Sequence, residues 1–231
     1  AQGAKISSHL ESPLGYLSVA QAGYIDTQKF LDKARNFFES KNLYIANTFD
    51  EAGVMTGETL SYQRENYSAI VLCIGYRSRE NGRFFKALPF SPAKGHTLTI
   101  ECPELELRTI VSGPCFIIPL GENRFRIGST YSWSDLNEKV EKKEVEKLEE
   151  NFRSFCQLPF KVVESKAGVR PATKDRRPLI GASSVDERIQ LFGGMGSRAI
   201  MCAPLLAQIH LDHMQTGKDL WAEVDLCRFN L

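Results

Sequence analysis

The chain has 231 residues, 42% hydrophobic and 25% charged, which excludes wholesale disorder and a fibre and suits one large domain or two intertwined smaller ones. Lys and Arg number 29 against 28 Asp and Glu, a net charge of +1, so the whole-molecule field steers neither anions nor cations and gives a nucleic-acid partner no support. Apolar runs such as residues 69–76 fall far short of the ~20 residues a membrane helix needs, so no membrane partner is expected.

Asp26 and Thr27 offer N-cap chemistry for an amphipathic helix whose Phe30, Leu31, Ala34, Phe37 and Phe38 share one face, and Ser40-Lys-Asn ends it. Residues 43–46 read as a short strand. Residues 67–75, a β-branched apolar run closing on Gly75, read as a strand buried on both faces of a parallel sheet.

The middle of the chain changes character. Residues 95–102, 107–112, 115–119 and 124–129 read as short strands, the last with Phe125 and Ile127 alternating against Arg124 and Arg126, and Gly121-Glu-Asn turns the final pair. A long charged helix is expected over 134–152, with Leu136, Val140, Val145, Leu148 and Phe152 as its buried stripe. Residues 161–169 and 189–192 read as further strands. The second runs through Gly193-Gly-Met-Gly196 into a helix. The expected fold class is α/β, with a parallel-sheet portion contributed by both chain ends and an antiparallel sheet inserted between them.

Six cysteines stand singly, without a Cys-x-x-Cys, and read as reduced thiols of a cytoplasmic protein. His210 and His213, three apart on a helix, read as a surface pair rather than metal ligands, and no metal site is expected.

Three stretches belong together by order and spacing: Ile70-Val-Leu-Cys-Ile-Gly-Tyr-Arg-Ser78, Gly168-Val-Arg-Pro-Ala-Thr-Lys-Asp-Arg-Arg-Pro-Leu-Ile-Gly181, and residues 192–207 around the glycine cluster. With Ala22-Gly-Tyr-Ile-Asp26, Lys94-Gly95, Arg126-Ile-Gly-Ser-Thr130 and Asp225-x-x-Arg-Phe229, the chain resembles the C-terminal two-thirds of the D-amino-acid oxidase-like family of FAD-dependent oxidoreductases. Gly196-Ser-Arg198 and Ala203-Pro-Leu-Leu-Ala207 resemble most the FAD domain of bifunctional enzymes that modify the tRNA wobble uridine. The resemblance implies residues 1–88 as part of an FAD-binding domain, 89–168 as an antiparallel-sheet substrate domain, and 169–231 as a return to the first.

The same resemblance implies amine oxidation by transfer of a hydride to FAD, a cofactor that carries the hard step itself. Arg170 matches the clamp for a substrate carboxylate, its alternative being a salt bridge to Asp175 or another acid. Gly75, Gly193, Gly194, Met195, Gly196, Ser197, Arg198 and Ala199 are implied at the cofactor, with packing alone as the alternative at Gly75 and a solvent-facing side chain at Arg198. Gly194→Val is expected to block flavin while sparing the fold. No Gly-x-Gly-x-x-Gly occurs, and the chain lacks an initial Met, so an absent N-terminal segment and poor FAD binding by these residues alone are expected. Lys94-Gly-His96 departs from the family's frequent Arg-Gly-Gln. Three readings stay open: oxidation of a small amino acid or N-carboxymethyl amine, action on a tRNA carboxymethylaminomethyluridine, and a non-catalytic relative.

Overall fold

The computed structural model describes residues 7–13, 15–79 and 82–229, with the side chains of 78 and 79 left aside. In chain order come α1 (Thr27–Ser40), β1 (Val54–Met55), β2 (Leu60–Tyr62), β3 (Glu65–Tyr67) and β4 (Ile70–Leu72). The centre holds β5 (Ala93–Glu101), β6 (Val111–Ser112), β7 (Phe116–Gly121), β8 (Arg124–Gly128), α2 (Lys142–Arg153) and β9 (Lys161–Arg170). Last are β10 (Leu179–Ala182), β11 (Ile189–Gly193) and α3 (Ala199–Thr216).

Two units divide the chain: residues 1–24 with 93–169, and residues 25–92 with 170–231. Residues 1–24 therefore fall outside the unit that holds the rest of the 1–88 stretch. The reason is visible in their contacts: Glu11 N–H donates to Phe155 O at 2.8 Å and the Tyr24 hydroxyl to Pro119 O at 3.0 Å.

The first unit is built on a five-stranded sheet in the order β6-β7-β8-β5-β9. Glu122 and Asn123, both at positive φ, turn β7 into β8, the backbone a two-residue hairpin favours. Alternation buries Phe125 and Ile127 against Leu98, Ile100 and Ile117, and α2 closes this core with Leu148 and Phe152. Cys102, Cys115 and Cys156 lie in the same core. Burial pushes the Cys115 thiol up to about 12, so it packs as a small apolar group rather than a nucleophile.

The expected long helix is shorter than its pattern. Residues 134–141 are irregular because their polar side chains are occupied elsewhere: Asn137 and Glu141 accept from the fully buried Lys94 ammonium at 2.9 and 2.8 Å. Leu136 is half-buried and Val140 exposed, so the stripe is completed only from Val145 onward.

The second unit holds an antiparallel sheet β1-β2-β3 and a mixed sheet in the order β10-β11-β4. β4 pairs with β11 in parallel, joining the two halves of the unit, while β10 and β11 are antiparallel. The expected strand over 67–75 is two pieces, because Tyr67 ends β3 in the other sheet. β4 lies at an edge with Val71 exposed, so it is buried on one face, not two. Residues 43–46 are extended but form no ladder, since no strand lies beside them among the described residues. On β11, Ile189 and Leu191 enter one core with Val54 and Leu72, while Phe192 turns to the other with Ile180 and Leu206 of α3.

Candidate functional site

Strand β11 ends at Gly193, and a tight turn over residues 194–198 feeds α3. Gly194 has φ +73, and a Cβ there would stand 2.8 Å from Thr173 Cγ2 and 3.1 Å from Leu179 N. Its glycine is thus demanded by the protein's own packing as well as by its backbone conformation. The expectation that valine here spares the fold is corrected on that ground. Met195 sends its side chain into the core of Ile180 and Leu206, leaving its backbone in the turn. Gly196, at φ +57, donates its N–H to Pro171 O at 3.2 Å.

Ser197 is exposed and Ala199 half-buried at the first turn of α3. The exposed Arg198 is α3's N-cap and makes no side-chain cap bond, and no acid stands in the first turn. A helix start with leading amides uncapped by a side chain, and without a carboxylate, offers donors and a positive dipole end to an electron-rich group. By contrast, the Asp26 carboxylate caps α1 by accepting from Lys29 N–H at 3.2 Å. The Arg198 guanidinium donates to Arg176 O at 2.8 Å, tying the start of α3 to the turn after β9.

That turn carries the most specific sequence motif, and most of the motif holds itself together. The Thr173 hydroxyl lies 2.7 Å from Arg177 O and 3.0 Å from Asp175 Oδ1, and Arg177 N–H donates to the same carboxylate at 3.0 Å. Arg228 grips Asp175 from the far end of the chain, Nε to Oδ2 at 2.9 Å and Nη2 to Oδ1 at 3.3 Å. Burial pushes the Asp175 carboxyl up, but these donors outweigh it and hold its pKa below the ordinary value. The Arg228 pairing explains why Asp225-x-x-Arg-Phe229 belongs with the motif, although fifty residues separate them in sequence. Arg170 is half-buried at the end of β9, immediately before Pro171. Lys174, Arg176 and Arg177 are exposed on the same turn, giving it a cationic surface.

Gly75, at φ +62, follows β4 and begins a 3₁₀ helix over Gly75–Arg79, with open space where a Cβ would stand. Gly75, Arg170, the 173–177 turn and the 193–199 turn all belong to the second unit. Backbone bonds knit its pieces: Ser91 N–H donates to Ala172 O and Lys174 N–H to Pro89 O, at 2.8 and 2.9 Å.

His210 is a correction to the surface pair expected from sequence: it is 3% exposed. His213 instead donates from Nδ1 to Lys218 O at 2.8 Å. Among the described residues no cluster of three or more His, Cys, Asp or Glu could hold a metal ion, and no helix is long and apolar enough to cross a membrane.

The family model described as FAD dependent oxidoreductase matches residues 8–212. The chain belongs to this family. It is 30% identical over 141 residues to glycine oxidase of Bacillus licheniformis, covering 57% of this chain and 38% of that protein. It is also 23% identical over 232 residues to a tRNA 5-methylaminomethyl-2-thiouridine biosynthesis bifunctional protein of Acinetobacter baylyi, covering 90% of this chain and 34% of that one. Among solved structures it is similar to glycine oxidase from Geobacillus kaustophilus, with a TM-score of 0.60 and 24% identity over 72% of this chain and 48% of that one. The chain thus spans about half the length, or less, of these relatives.

FAD is the family's cofactor, and the residues present fit part of it. The start of α3, uncapped by a side chain, and the cationic 173–177 turn offer donors and positive charge that would suit the electron-rich edge of a flavin. No glycine-rich pyrophosphate turn of the Gly-x-Gly-x-x-Gly kind lies within these 231 residues.

Proposed function

We propose that this chain supplies the flavin-ring and substrate-clamp portion of an FAD-dependent oxidoreductase acting on a C–N bond of a small amino acid or N-carboxymethyl amine. The observation that carries the reading is the uncapped, acid-free start of α3 directly behind the glycine turn. Bound FAD supplies the acceptor for the hydride that leaves the amine-bearing carbon. The first-turn amides of α3 offer hydrogen bonds to negative charge that builds on the ring, and they are held ready by the Gly196–Pro171 and Arg198–Arg176 bonds. Arg170 grips the substrate carboxylate with its planar fork and so orients the reacting carbon. No general base is required of the protein.

Arg170→Lys in the flavin-loaded protein tests the clamp. Loss of a desolvated two-pronged contact costs ~2–5 kcal/mol, so kcat/KM for a carboxylate-bearing amine should fall roughly tens- to thousands-fold. Reduction by dithionite should be unchanged, and an amine without the carboxylate should lose little. Equal losses on both amines would make Arg170 structural. Flavin absorbance of the purified protein tests the catalytic reading against a non-catalytic relative.

The match across 90% of the chain to the Acinetobacter baylyi protein favours a second reading, in which the carboxymethylamino group gripped by Arg170 belongs to a tRNA uridine. A gel shift with tRNA at increasing salt separates the two, because phosphate contacts make affinity fall steeply with ionic strength.

A further inference from the structure

We infer that His210 is a positioning residue, whose hydrogen bond to Gln190 sets the placement of α3 on β11 and thereby the start of α3 that follows the glycine turn. Its bearing on flavin rests on the function proposed above; its bearing on the turn does not.

The pair is a polar island in an apolar interface. Gln190 and Phe192 point to the α3 side of β11, where Ile180, Leu206, Cys202, Ala203 and Ile209 also pack. Gln190 is 6% exposed and His210 3%. Apolar packing is non-directional and would tolerate a shifted helix, whereas a buried hydrogen bond holds at one separation and angle only.

The donors can be ordered without ambiguity. Gln190 Nε2 donates to Glu187 O at 2.6 Å, so its Oε1 is the atom that faces His210 Nε2, at 2.9 Å. Turning the amide over would set two oxygens against each other at Glu187. His210 therefore carries its proton on Nε2 and donates it. Its ring lies flat on Phe192, centroids 5.7 Å apart and planes 3° from parallel. Burial lowers its pKa, with the nearby His213 adding to the effect, which keeps the ring neutral.

β11 ends three residues after Gln190, and α3 starts eleven residues before His210. The bond thus spans the strand and helix that leave the turn, a short lever on each side. Losing it leaves Gln190 Oε1 buried and unpaired.

The test follows hydrogen exchange over residues 193–199 in the full chain without flavin, beside the thermal midpoint. His210→Leu should speed exchange there at least tenfold while residues 96–101 of β5 stay unchanged. His210→Gln, whose amide reaches where Nε2 stood, should restore the slow exchange. The double variant His210→Leu with Gln190→Leu, apolar on both sides, should regain the thermal midpoint yet keep the fast exchange. Nitrogen NMR of the parent chain should show the proton on Nε2 of His210. A proton on Nδ1, or a double variant in which slow exchange returns with stability, would overturn the inference by making the pair ordinary core. Flavin reports separately: in the flavin-loaded protein, failure of the bound flavin to protect residues 193–199 would count against the proposed function and leave the positioning result standing.

Discussion

Helix α2 sinks Leu148 and Phe152 completely into the antiparallel unit, whereas α1, with an equally clear apolar face, buries no residue. Phe30, Leu31, Phe37 and Phe38 stay 45–57% exposed. Both patterns specify which side of the helix is apolar; neither specifies what meets it. The same contrast runs through the sheets. β5 is paired on both sides within its sheet, while among the described residues β4 pairs with β11 alone and leaves Val71 at an edge. One unit closes its core, while the other leaves the α1 face and the β4 edge uncovered among the described residues.

The largest effect should come from attacking the closed unit at its buried cation. Glu141→Gln strips the charge that faces Lys94, whose side chain is fully buried, and a buried ammonium left without its counter-charge is strongly destabilising. Thermal unfolding should show the loss, and an unchanged midpoint would mean that Asn137 alone satisfies the ammonium. Gly194→Val should come next, in the other unit. A left-handed β-branched residue adds strain to a clash with Thr173 and the Leu179 backbone, together about 2–5 kcal/mol. Exchange protection of β10 and β11 should fall with it, while that of β5 and β8 holds.

Acid should act in two stages, the first on both units and the second on the closed one. His96 accepts at Nε2 from Glu141 N–H at 3.3 Å, so its Nδ1 carries the proton, 3.0 Å from the Thr130 hydroxyl. Burial, and then Lys94, lower the His96 pKa, and burial lowers that of His210. Their folded values lie below 6.5, so the stability they support is full above pH 6.5 and is lost as pH falls beneath it. The Glu141 carboxyl, held at about 2 by hydrogen bonds from Lys94 and then Lys143, contributes above its ordinary 4.5 and loses that contribution as pH falls toward 2. Denaturant midpoints at pH 7.5, 5.5 and 3.5 should step downward twice. A flat profile between the first two would deny the histidines their part.

The smallest effect belongs to α1. Phe37→Ser removes an exposed ring and should change stability within about 0.5 kcal/mol. Paired with Phe30→Ser, it should lower binding of an apolar dye, because it breaks the exposed face; undiminished dye binding would place the open surface elsewhere.

Local order was legible from sequence. The N-cap at Asp26, the alternation of β8, the strand of β9 and the β11–turn–α3 passage each rest on residues within a few positions of one another, and each stands where the pattern puts it. Tertiary structure decided the rest, because the deciding partner lay far along the chain. Lys94 unwinds residues 134–141 from some forty positions away by taking Asn137 and Glu141. Arg228 reaches Asp175 across 53 positions, and Gln190 turns a histidine that reads as surface into a buried donor. Gly194 is needed to avoid a clash with Thr173 and Leu179 that no local pattern contains. Periodicity reports the face an element turns to its surroundings; only the folded chain supplies the atoms on the other side, and they decide which polar groups are paired, buried or left open.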